Sequence, residues 1–115
     1  MATFSKIDLS GSTDGKQIAV VATATAGTLI HTAQSGTAGI DEIWMYATNP
    51  TASAVVLTVE YGGVTTADQI KLTIPSQGGL TLVVPGLVLH NALVVRAFAG
   101  TASAINISGY VNRIT

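Results

Sequence analysis

Along much of the chain, apolar and polar side chains change places at every second residue. Ile70, Leu72 and Ile74 fall on one side and Lys71 and Thr73 on the other; Leu93, Val95 and Ala97 oppose Val94, Arg96 and Phe98; Ile105 and Ile107 oppose Asn106 and Ser108. A period of two belongs to a β-strand, whose successive side chains point to opposite faces. Between these runs, turn signals recur every eight to thirteen residues, at Gly11 to Gly15, Gly27, Gly36 to Gly39, Asn49-Pro50, Gly62-Gly63, Gln77 to Gly79, Pro85-Gly86, His90-Asn91 and Gly100. The pattern predicts nine strands, roughly at residues 3–9, 17–23, 28–33, 40–49, 54–62, 69–75, 79–84, 93–99 and 104–113, and no long amphipathic helix. Such spacing points to an all-β fold, an antiparallel β-sandwich of eight or nine short strands.

Three segments add detail. Thr51-Ala52-Ser53-Ala54 recurs unchanged as Thr101-Ala102-Ser103-Ala104, each time after a turn and before a strand. Two similar hairpins are implied, and a jelly roll built from two Greek keys accommodates such a pair. The stretch Val21 to Thr28 is almost purely Val, Ala, Thr and Gly, which suits close approach to a neighbour rather than a deep core. Residues 1–15 read either as an N-terminal arm that adds to another subunit's sheet or as an ordinary first strand and loop.

The predicted strand at 40–49 carries bulk on both sides, with Ile43, Met45 and Ala47 on one and Glu42, Trp44 and Tyr46 on the other. A strand with two adhesive faces is expected where one meets the core and the other meets a second subunit or a covering loop.

Composition sharpens the picture. The 115 residues are enough for one domain with one core. They are 48% apolar and only 10% charged, with a formal net charge of -1 and a mean hydropathy of +0.52. Mass scaling gives a folded surface of roughly 5,900 Å², so eleven charged residues supply about one charge per ~530 Å². Soluble monomers usually carry a denser charge, so part of this surface is expected to be covered by a partner or by copies of the chain. Sixteen threonines offer the other explanation, a neutral surface hydrated by hydroxyls.

Several function classes drop out. The basic residues Lys6, Lys16, Lys71, Arg96 and Arg113 are scattered, so there is no footprint for a nucleic-acid backbone. There is no cysteine, which removes disulfides and thiol chemistry. Met1 to Ser10 has no apolar core of a signal peptide. The longest apolar run, Leu82 to Leu89, is eight residues and contains Pro85 and Gly86, against the ~20 of a spanning helix. No membrane partner is expected.

Catalytic and metal chemistry is thin. His31 and His90 stand fifty-nine residues apart in no ligand spacing, and Asp41 and Glu42, adjacent in a strand, point to opposite faces. Gly62-Gly63 and Gly78-Gly79 read as hairpin turns without a phosphate-binding helix after them, and no serine sits in a nucleophile elbow. The expectation is a non-enzymatic protein with no cofactor and no metal. Binding rests on Trp44, Tyr46, Tyr61 and Tyr110, with Arg96 and Arg113, which are interface-type residues. Most aromatics are expected in the core; for Trp44, core packing, a protein interface and a ligand platform all stay open.

Two groups of residues carry a family likeness. Leu82-Val83-Val84-Pro85-Gly86-Leu87, Leu93 to Gly100 and Ile107-Ser108-Gly109-Tyr110-Val111-Asn112-Arg113, together with Ile43 to Asn49 and Val59-Glu60-Tyr61-Gly62-Gly63, resemble small structural proteins of tailed-phage virions. The resemblance spans roughly residues 40–113 and implies a capsid decoration or cement protein. Its expected partners are the major capsid protein and copies of itself, as a dimer or trimer, and its expected location is the virion. A tail, neck or baseplate module and a carbohydrate-binding module are the alternatives.

Overall fold

The computed structural model describes residues 2–115. Nine strands form where the period-two runs lie: β1 (Phe4–Asp8), β2 (Ile18–Val20), β3 (Thr28–Thr32), β4 (Ile40–Thr48), β5 (Val55–Tyr61), β6 (Gln69–Ile74), β7 (Thr81–Leu89), β8 (Val94–Ala99) and β9 (Ile105–Ile114). A single 3₁₀ turn, Thr66–Asp68, is the one helical element among the described residues. Sheet A has the order β1-β9-β4-β7, with β2 continuing the β1 edge along β9, and sheet B has the order β3-β8-β5-β6.

All pairings are antiparallel. Taking β1 and β2 as one interrupted strand, first pairs with last (β9), β3 with β8, β4 with β7 and β5 with β6. A long antiparallel ribbon folded over on itself gives this nesting, and two further contacts, β4 with β9 and β5 with β8, close it into two sheets. It is the strand order of a jelly roll, an architecture that packs two Greek keys face to face.

This nesting changes the meaning of most turns. Only β1–β2 and β5–β6 are successive strands of one sheet; every other connection crosses from one sheet to the other. Both copies of Thr-Ala-Ser-Ala therefore lie on crossovers, β4 to β5 and β8 to β9, and not in the expected hairpins. Gly62-Gly63 does serve a hairpin, whereas Gly78-Gly79 carries the chain from sheet B to sheet A.

The largest departure concerns Pro85-Gly86. These residues do not end a strand: β7 runs through them to Leu89. The register slips there, Ile43 facing Leu87 and Trp44 facing Pro85, so Gly86 is the extra residue of a bulge and has a positive φ of 78°. Proline has no N–H to give to a ladder and is tolerated because β7 is the edge of sheet A. The Trp44 indole lies across the bulge, where a Cβ on residue 86 would stand 2.8 Å from its Cζ2.

Between the sheets lies one continuous core of Val20, Ile43, Met45, Ile105, Ile107 and Val111 from sheet A against Ile30, Leu57, Val59, Ile74, Val95 and Ala97 from sheet B. It is aliphatic. No Phe, Tyr or Trp is among its buried hydrophobic residues, which overturns the expectation that the core would take up most aromatics. Sheets about 10 Å apart are filled by interdigitated branched aliphatics, and the rings are left to the faces and rims. Within the single chain the N-terminal segment lies along the domain: β1 pairs with β9, Thr3 and Thr115 exchange backbone hydrogen bonds, and Leu9 is buried in the core.

Candidate functional site

Register decides which side chains share the outer face of sheet A. Trp44 stands opposite Tyr110 and Pro85, Tyr46 opposite Ser108 and Leu82, and Glu42 opposite Asn112 and Val88. Lys6 and Phe4 of β1 join them opposite Asn112 and Ile114. The alternation in β4 thus does what its sequence implies, with Ile43, Met45 and Ala47 in the core and Glu42, Trp44 and Tyr46 half-buried outside.

The centre of this face is a rigid aromatic group. The rings of Trp44 and Tyr110 stack at 6.3 Å with planes 15° apart, and Lys6 Nζ lies 4.6 Å from the Tyr110 centroid. An ammonium over a phenol ring is attracted by the ring's negative face. Trp44 Nε1 donates to Glu42 Oε1 at 2.7 Å and Asn112 Nδ2 donates to the same oxygen at 3.1 Å. The indole bond first, and the amide bond second, hold the Glu42 carboxyl below its usual range.

Toward the β7 edge the face becomes aliphatic. Leu80 is 61% exposed, Val88 49% and Leu82 47%, while Leu87, which pairs with the core-facing Ile43, is 42% exposed on the other side of the strand. No Asp, Glu, Lys or Arg occurs between Lys71 and Arg96. Natural edge strands are normally protected against pairing by charge, proline or bulges. Here β7 has the proline and the bulges and lacks the charge.

The other candidates lie elsewhere. Tyr61, at the end of β5, packs against the core; its hydroxyl is buried without a hydrogen-bond partner, and burial, helped by the charge of Asp41, pushes the phenol up to about 12. Arg96, on the outer face of sheet B, donates to the Gly27 carbonyl at 3.3 Å. Beside it the outward-pointing Glu60 is fully buried because the segment before β3 folds over it: Thr25 Oγ1 donates to one carboxylate oxygen at 2.5 Å and Gly27 N to the other at 2.7 Å. The small side chains of Val21 to Thr28 are explained by this close approach. The neighbour is the chain's own β8, since a Cβ at Gly27 would collide with the Ala97 backbone.

Arg113 belongs to a cluster that the sequence does not announce. His31 of β3 and Asp41 of β4 are both fully buried, and Arg113 of β9 closes on them from the rim. Asp41 Oδ2 accepts from His31 Nε2 and Arg113 Nη2, each at 2.8 Å, and from Gln34 N at 3.2 Å; Oδ1 accepts from Arg113 Nε at 2.8 Å and Gln34 Nε2 at 3.2 Å. His31 Nδ1 accepts the Ser10 N–H at 3.0 Å, so the imidazole is neutral with its proton on Nε2. Burial is the main force lowering its pKa, opposed by Asp41. Burial also works to raise the Asp41 carboxyl, but the hydrogen bonds from Arg113 and His31, with the Arg113 charge, outweigh it and hold the carboxyl low.

Chemically this cluster is a fastener between the two sheets. Both imidazole nitrogens are used within the fold, and Ser10 Oγ accepts from Thr32 N instead of meeting the ring, so no nitrogen is free to take a proton from a nucleophile. His90 lies apart in the turn after β7, its Nδ1 buried without a partner. Among the described residues no three His, Asp or Glu side chains converge as metal ligands, and no helix is long and apolar enough to cross a membrane. Comparison with known proteins finds no match: no family model, no curated protein and no solved structure is significantly similar to this chain.

Proposed function

We propose that the chain is a non-enzymatic structural subunit of a virus particle, of the capsid decoration or cement type, which docks through the β7 side of sheet A. One observation carries this reading: an edge strand nine residues long, uncharged, with Leu82, Leu87 and Val88, and Leu80 just before it, open to solvent. Each is the kind of side chain whose burial contributes about 1.5–3 kcal/mol when complete. Copies arranged around a symmetry axis bury such edges against one another, and an array of copies on a shell adds avidity to each weak contact. The resemblance of residues 40–113 to tailed-phage structural proteins supplies the shell as the partner, and the stacked Trp44–Tyr110 pair supplies a stiff platform beside the edge.

The test is reconstitution. Purified protein added to particles assembled without it is expected to co-sediment with them and raise their resistance to heat, while the doubly substituted Leu82→Lys, Val88→Lys protein, still folded by circular dichroism, stays in the supernatant. Wild-type protein that never associates with such particles overturns the reading.

A further inference from the structure

At the opposite edge of sheet A, on the same outer face, Phe4, Ser5 and Lys6 of β1, Glu42 of β4 and Asn112 and Ile114 of β9 enclose a groove of about 400 Å³. We propose that this groove binds a neutral saccharide, one pyranose ring lying on the Phe4 side with its hydroxyls on Glu42, Asn112 and Lys6. The proposal goes beyond the docking role assigned to the β7 edge and does not depend on it: the groove runs from β1 across β9 to Glu42 of β4, and none of its lining residues belongs to β7.

The polar groups are set in advance. Glu42 Oε1 is taken by the Trp44 indole and the Asn112 amide, which fixes the carboxylate plane, while Oε2 accepts no bond from the described residues. Asn112 spends its NH₂ on Glu42, and its Oδ1 is likewise unengaged. Lys6 is held over the Tyr110 ring and makes no ion pair among the described residues, leaving ammonium protons for a ligand. Phe4, 74% exposed, presents a phenyl ring that packs on nothing in the core.

Elimination narrows the ligand. An anion would face Glu42, a cation would face Lys6, and a wholly apolar molecule would strip water from a carboxylate and give nothing back. What remains is neutral, rich in groups that both donate and accept, and apolar on one face. A pyranose has those properties: hydroxyls for the fixed acceptors and the ammonium, and a C–H face for the phenyl ring. The volume lies within the ~300–1,000 Å³ of ligand pockets, which combine apolar walls with a few placed polar groups.

Trp44 is the only tryptophan and donates its indole N–H to Glu42, so its emission reports on the groove. Titration of the whole protein with the methyl glycosides of glucose, galactose, mannose and N-acetylglucosamine is expected to give a saturable change with at least one of them. Glu42→Gln keeps the acceptor for Trp44 but removes the charge, and is expected to weaken that binding by about tenfold or more, the scale of a hydrogen bond to a charged group. Phe4→Ala, at an exposed position that leaves the fold intact, is expected to weaken it by a similar factor. No saturable change with any of the four overturns the proposal. So does binding unaffected by either substitution, which places the sugar elsewhere, and so does an emission change that follows protein concentration alone, which gives the groove to a second copy.

Discussion

Asp41 accepts five hydrogen bonds with no water-facing side of its own, and it joins β3, the segment after it, and β9. Removing the carboxylate leaves the buried His31 Nε2–H without its acceptor, while the partly exposed Arg113 turns to water, so Asp41→Ala is expected to cost about 1–3 kcal/mol in urea unfolding; an unchanged unfolding free energy would show that the cluster fastens nothing. Its pH response follows from the directions of the shifts. The folded state lowers His31 below the ordinary 6.5, so the unfolded chain binds the extra proton more readily, and stability is complete above pH 6.5 and declines as pH falls below it. Asp41, also lowered, adds a second decline below its ordinary 3.8. Unfolding measured from pH 8 to pH 3 is expected to show both, and His31→Gln to remove the first; stability flat through pH 6 would contradict the account. None of this was legible in the sequence. His31 and Arg113 lie 10 and 72 residues from Asp41, and only the strand registers bring them together. The sequence does place Asp41 and Glu42 on opposite faces, and that separation is what makes one a buried fastener and the other a groove acceptor.

At the scale of elements, alternation and turn signals located eight of the nine strands within a few residues, because a half-buried strand writes its pairing into its side chains. It failed at β7, where two residues that break most strands instead form a bulge on an edge. A proline and a glycine look alike as a turn or as a bulge until the neighbouring strand is known, and here that neighbour is the Trp44 ring over Gly86. Gly86→Ala places a Cβ against that ring and forces a positive φ on a residue that resists it. The expected cost is about 1–3 kcal/mol, with a shifted Trp44 emission spectrum; unchanged stability and emission would mean the bulge is not braced by the indole. Crossovers were mistaken for hairpins for a similar reason, since turn residues announce a change of direction without saying which sheet the chain enters. The face shared by Trp44 and Tyr46 was readable within β4, whereas Tyr110 joins it only through the register of β9.

For the whole molecule, the surface is 5796 Å² and two of the chain's eleven charged residues, Asp41 and Glu60, are fully buried, so the surface is even more thinly charged than composition alone implies. Those charges are unevenly used. Asp41, Glu60 and Arg113 are spent on internal bonds, and the span from Leu72 to Val95, which contains β7, has none. Residues 17–40, 43–59 and 97–112 are equally free of charge, so what sets the β7 edge apart is its row of exposed aliphatic side chains. Under the proposed function, this edge is covered by other copies or by a shell. The direct measurement is solution mass by light scattering over a dilution series, for the wild type and for Leu82→Lys, Val88→Lys. The account predicts a dimer or trimer of the 11.7 kDa chain that the two lysines reduce to a monomer. A wild-type protein that stays at the monomer mass at every concentration would contradict it.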